Sequence, residues 1–85
     1  ASLLAEARAL RALGQTVAAI RACREAAALA EAGRLISIAD PALDVLTAIA
    51  SEQGDRRAGA WREVSGDQLW DALAEADTWA RSRQA

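Results

Sequence analysis

The sequence predicts an all-α protein, a small bundle of four to five helices built from helical hairpins, and three observations carry that prediction. Apolar residues recur at three- and four-residue spacing through most of the chain. Ala fills 24 of the 85 positions while Phe, Tyr and Met are absent, a composition that favours close helix–helix contact over a bulky core. Gly14, Gly33, the pair Asp40-Pro41, Gly54 and the pair Ser65-Gly66 divide the chain into helix-length segments.

Ser2 is placed to cap a first helix running to about Leu13, with Leu3, Ala7 and Leu10 on one stripe. Gly14 leaves two topologies open. Tolerated inside a helix, at ~1 kcal/mol relative to Ala, it makes 2–32 one rod; as the residue after a C-cap, it makes a hairpin. In the second helix, roughly 16–32, Ala18, Ala19, Ile20, Ala22, Cys23, Ala26, Ala27, Leu29 and Ala30 span more than half the circumference, against Arg21, Arg24, Glu25 and Glu31. A helix apolar that far round is expected to touch two neighbours.

The third helix is expected to start at Asp40 as N-cap with Pro41 in the first helical position, where its missing N–H costs nothing, and to end near Gln53. Ala42, Leu43, Val45, Leu46, Ile49 and Ala50 share one arc, opposite Asp44, Thr47, Ser51 and Glu52, as in a surface helix packed on one side. The connector 34–39 reads as an extended segment or a short turn, with Leu35, Ile36 and Ile38 too apolar to be left in water. For 55–64 a short helix and an irregular loop compete, since Gly59 weakens a helix that Trp61 and Val64 support. The last helix has the clearest start. Ser65-Gly66-Asp67-Gln68 matches a capping box, with Val64 and Leu69 as its hydrophobic staple, followed by a core stripe of Leu69, Leu73, Ala76 and Ala80.

Composition also restricts chemistry. With neither His nor Lys, the chain has no side chain of near-neutral unperturbed pKa and no Schiff-base amine, so an enzyme would need a carboxylate mechanism. The best carboxylate candidates, Asp67, Asp71 and Glu75, recur along one helix face, whereas a hard cation wants ligands converging from several elements. They read as a solvated face. Cys23, the one cysteine, has no disulfide partner and no neighbouring zinc ligands, and it sits in the Ala-rich arc as a small buried residue. The expectation is therefore a single non-enzymatic helical domain over 1–85, with no cofactor, metal or small-molecule substrate. No run of 18 uncharged residues or signal-peptide core is present, which points to a cytoplasmic chain away from membranes.

Two groups of residues suggest a binding surface. Arg56, Arg57 and Arg62 surround Trp61, an arrangement able to grip single-stranded nucleic acid, although Asp55 and Glu63 reduce its field and the net charge is −2. Trp61, Trp70 and Trp79 are evenly spaced, and nine residues at ~100° each amount to half a turn beyond two full turns. Trp70 and Trp79 therefore lie on opposite flanks of the Leu69/Leu73 stripe. Trp79 extends the core, whereas Trp70, with Trp61, is expected to serve as a partner anchor.

Leu43-Asp44-Val45-Leu46-Thr47 followed by Gln53-Gly54-Asp55, and Gly14-Gln15-Thr16-Val17-Ala18-Ala19-Ile20 with Ala26, resemble helices and turns of tetratricopeptide-type hairpins. The pattern departs from that family in its spacing, because Gly14 and Gly54 lie 40 residues apart in place of the usual ~34, and in Gly59, where a helix Ala is expected. The resemblance implies a non-catalytic surface for binding protein or peptide. The functional expectation is a small interaction or assembly module that self-associates, its partner another protein or a second copy. Self-association fits a domain this small, which buries only ~60–65% of its unfolded surface. A nucleic-acid-associated regulator using the Arg/Trp segment at 56–62 is the alternative.

Overall fold

The computed structural model describes residues 2–84, which form five helices: α1 (Leu3–Ala12), α2 (Thr16–Gly33), α3 (Ile36–Glu52), α4 (Arg57–Arg62) and α5 (Gln68–Gln84). There is no strand among the described residues. Ser2 caps α1 as expected, its hydroxyl accepting from the Ala5 amide at 3.1 Å.

The chain reverses at Gly14, so α1 and α2 form a hairpin. The Gly14 amide donates to the Arg11 carbonyl at 3.0 Å and the Gln15 amide to the Leu10 carbonyl at 2.9 Å, the two bonds of a Schellman motif. The same pair closes α3, from Gly54 to Ser51 and from Asp55 to Ala50, each at 3.0 Å. Gly14 and Gly54 both take φ of 78°, a left-handed conformation that glycine adopts without steric penalty. The turn between α2 and α3 repeats these bonds with Arg34 in the left-handed position, at φ 50°, while Gly33 stays helical. At Gly33 the Leu35 side chain folds back over the helix, so a Cβ there would lie 3.1 Å from Leu35 Cγ, a contact that the exposed Leu35 side chain would have to shift by a few tenths of an ångström to accept.

Helix α3 starts five residues earlier than Asp40-Pro41 suggests, at Ile36 in place of Pro41. Leu35 precedes its first turn, and the Leu35 carbonyl accepts from the Ile38 and Ala39 amides at 3.0 and 2.9 Å. Pro41 thus sits inside the helix, where it removes one bond to the carbonyl four residues back, that of the solvent-exposed Ser37. Extending the helix through 36–40 seats Ala39 in the core and half-buries Ile38. Asp40 is consequently a mid-helix residue and not a cap.

Apart from Leu29, which is exposed, and Ala18, which is half-buried, the predicted apolar arc of α2 is buried, and this helix packs against α1, α3 and α5. Helix α3 contacts all four others, so it is the central element and not a one-sided surface helix. That explains why Thr47, expected on its polar side, is buried with its hydroxyl unpartnered. Leu69, Leu73, Ala76 and Ala80 line the inner side of α5 as expected, with Ala72 and Trp79 beside them. Arg24 ties α2 to α5 through a 3.0 Å ion pair with Asp77 and a hydrogen bond to the Gln84 side chain. Arg11 joins the end of α1 to the end of α3 through Glu52. No helix among the described residues is long and apolar enough to cross a membrane.

The entry to α5 also departs from the capping-box expectation. Gly66 takes a positive φ of 59°, and the Gln68, Leu69 and Trp70 amides donate in succession to the Ser65, Gly66 and Asp67 carbonyls. The Gln68 amide therefore uses the backbone of Ser65 and not its hydroxyl. A tight i→i+3 turn satisfies the helix start that the side chain was expected to cap.

Candidate interaction surface

The Arg/Trp segment at 56–62 folds as α4, a single short helix, which decides between the two readings of this stretch. Trp61 and Ala58 point inward, and Trp61 is only 3% exposed. Its ring meets Trp79 edge-on, with centroids 6.3 Å apart and planes at 63°, a favourable aromatic geometry. Both indole N–H groups are buried without a hydrogen-bond partner. Trp61 is thus part of the core, and the expectation that it offers its face to a partner is corrected.

The basic residues around it are exposed, but Arg57 is already engaged. Its Nε and Nη2 donate to the two Asp55 carboxylate oxygens at 3.2 and 3.0 Å, and its backbone amide donates to Asp55 Oδ1 at 2.9 Å. These bonds from Arg57 hold the Asp55 carboxyl below its ordinary range. The Arg57 guanidinium also lies 5.7 Å from the Trp61 ring centroid and borders a shallow recess with Asp71 and Glu75 of α5. Asp71 and Glu75 of the acidic stripe therefore lie beside a cation of their own chain. Only Arg56, just before α4, and Arg62, at its end, remain as exposed cations of this segment without an ion-pair partner among the described residues. The structure gives this segment no exposed ring on which a base could stack.

Trp70 lies elsewhere. It is half-buried in a cleft of about 300 Å³ lined by Ile36 and Asp40 of α3 and by Val64, Ser65 and Leu69. The Arg34 guanidinium sits 4.8 Å from its ring centroid, a cation–π contact joining the α2–α3 turn to α5. Trp61 and Trp70 consequently do not form one surface.

The apolar surface that is exposed lies in the first 36 residues. Leu13 is 71% exposed, Ile36 61%, Leu29 56%, Val17 51% and Leu35 43%. Leu13 and Val17 flank the α1–α2 turn, while Leu29, Leu35 and Ile36 gather around the α2–α3 turn at the other end of α2. Leu29 was expected inside the α2 arc, and Leu35 and Ile36 inside the fold, so these three positions correct the sequence reading. Beside Leu29, a groove of about 240 Å³ is lined by Leu3, Leu4, Ala26 and Ile38. Leu13 carried a signal that hydropathy alone obscured, since it directly precedes the turn glycine.

Cys23 is fully buried, and burial pushes its thiol up to about 12. Among the described residues no group of three or more His, Cys, Asp or Glu side chains is placed to hold a metal ion. No family model matches the chain, and comparison with curated proteins and with solved structures returns no significant match. What the geometry defines is a small all-α domain with apolar surface at both ends of α2.

Proposed function

We propose that the chain is a non-enzymatic interaction module that assembles with a second copy of itself. The observation that carries this reading is the exposure of Leu13, Val17, Leu29, Leu35 and Ile36 in one half of a domain only 85 residues long. Single exposed aliphatic residues are ordinary; two groups of them, one at each end of α2, are apolar area whose burial would stabilise a complex. The small size adds to this, because a domain with a thin, Ala-rich core gains proportionately from apolar area covered by a partner. The resemblance to tetratricopeptide-type hairpins supports the same class of function. The nucleic-acid reading is weakened by the burial of Trp61 and the engagement of Arg57 with Asp55.

Sedimentation equilibrium across about 5–500 μM, with thermal melts at both limits, tests the proposal. The expected result is a mass rising toward two chains and a midpoint that increases with concentration. A one-chain mass throughout, with a midpoint indifferent to dilution, overturns it.

A further inference from the structure

We propose that the outward face of α2 pairs antiparallel with the same face of a second copy, in the register that sets Arg21 against Glu25 of that copy. This rests on the self-association reading above and specifies its interface. Arg21, Glu25, Ala28 and Ala32 follow one another at four- and three-residue spacing, and all are exposed, so they form one free stripe on α2. Neither Arg21 nor Glu25 has an ion-pair partner among the described residues, whereas Arg24, on the flank, is held by Asp77 of α5.

Charge complementarity selects both the orientation and the register. A parallel pairing would set Arg21 on Arg21 and Glu25 on Glu25, two like-charge contacts. The antiparallel pairing replaces them with two opposite-charge contacts related by the two-fold axis. Residue numbers at matched heights then have a constant sum, which brings Ala28 to Ala18 of the second copy and Leu29 to the level of Val17. Small residues beside the charged pair let the two helices approach closely.

The same register pairs the apolar ends. Val17 of one copy, exposed at the start of α2, stands at the height of Leu29 of the other, exposed near its end. Symmetry produces this contact twice. The 18 residues of α2 span ~27 Å. One helix stripe is small beside the ~1,200–2,000 Å² typical of stable interfaces, so the pairing is expected to be weak and concentration-dependent.

The test is sedimentation equilibrium of the full chain and of the variants Arg21→Glu, Glu25→Arg and the double reversal. Each single variant introduces two like-charge contacts and should raise the dimer dissociation constant roughly tenfold, while the double variant should return to within about threefold of the parent. Both side chains are exposed in the monomer, so folding is preserved. A parent that dimerises but is unmoved by the single reversals, or a double variant that is not rescued, overturns the register while leaving self-association standing. A parent that stays monomeric overturns both.

Discussion

Replacing Trp61 by Ala should unfold much of the margin on which this domain depends, although the residue lies in a six-residue helix flanked by exposed arginines. The ring is 3% exposed and stands edge-on to Trp79 at 6.3 Å, so its removal opens a cavity between α4 and the core and deletes an aromatic pair. Truncation of a buried aromatic costs about 3–5 kcal/mol, of which the pair accounts for ~0.5–1.5. A domain of 85 residues has a total stability of roughly 4–13 kcal/mol, so this one change removes a large fraction of it. Trp61→Phe should behave differently. The indole N–H is buried without a partner, a burden of ~1–3 kcal/mol that Phe does not carry, and this offsets the smaller ring. Phe is therefore expected within about 1 kcal/mol of the parent. Urea melts followed by far-UV circular dichroism measure both variants at equal protein concentration. A Trp61→Ala midpoint that coincides with the parent would refute the assignment of this ring to the core.

Further expectations follow from caps and titrating groups. Ser2→Ala should destabilise by ~1 kcal/mol in the same melts, because the Ala5 amide loses its acceptor, whereas Ser65→Ala should change stability by less than about 0.5, its carbonyl being the acceptor at the start of α5. Equal losses at both sites would contradict the backbone turn described at Gly66. Asp55 has a folded-state pKa below the ordinary 3.8 because Arg57 bonds its carboxylate, so its contribution to stability is present above that value and is lost as pH falls through the folded pKa. Asp55→Asn should flatten the acid limb of stability against pH, and an unchanged limb would exclude this linkage. Cys23, at about 12 against an ordinary 9.0, keeps its proton in the folded state between those values while the unfolded chain loses it, so stability should decline as pH rises from 9 toward 12. Its labelling by a thiol reagent at neutral pH should proceed only at the rate of opening; immediate labelling of the native protein would disprove its burial.

The elements that were legible in the sequence are those decided by local chemistry. Ser2 and Gly14 mark the start and end of α1, and the apolar arcs of α2, α3 and α5 emerge largely as their spacing predicts. The misreadings came where a tertiary contact outweighed a local signal. Asp40-Pro41 is a strong start signal, yet burial of Ala39 and the amide acceptor at Leu35 carry α3 back over it. Ser65 has the residue pattern of a cap, yet Gly66 permits a tight turn that satisfies the same amide. Trp61 lies between arginines, yet the short helix turns its ring inward to Trp79, a distant residue whose position spacing alone does not give.

The exposed apolar positions at the end of α2 have a geometric origin. At ~1.5 Å per residue, the ten residues of α1 measure ~15 Å and the 18 of α2 ~27 Å, so the hairpin formed at Gly14 cannot cover α2 along its length. Helix α1 begins at Leu3 beside Ala26 and Leu29, which leaves the last turns of α2 and the turn into α3 without a neighbour on that side. An apolar arc calculated for α2 alone assigns Leu29 to the interior regardless, because amphipathicity records which side of a helix is apolar and not how far its neighbour extends. One end of α2 borders an apolar groove, and the opposite end carries the exposed Leu13 and Val17. In the antiparallel pairing proposed above, Val17 of one copy would stand at the height of Leu29 of the other, so the uncovered end of each α2 would fall beside the exposed start of its partner's.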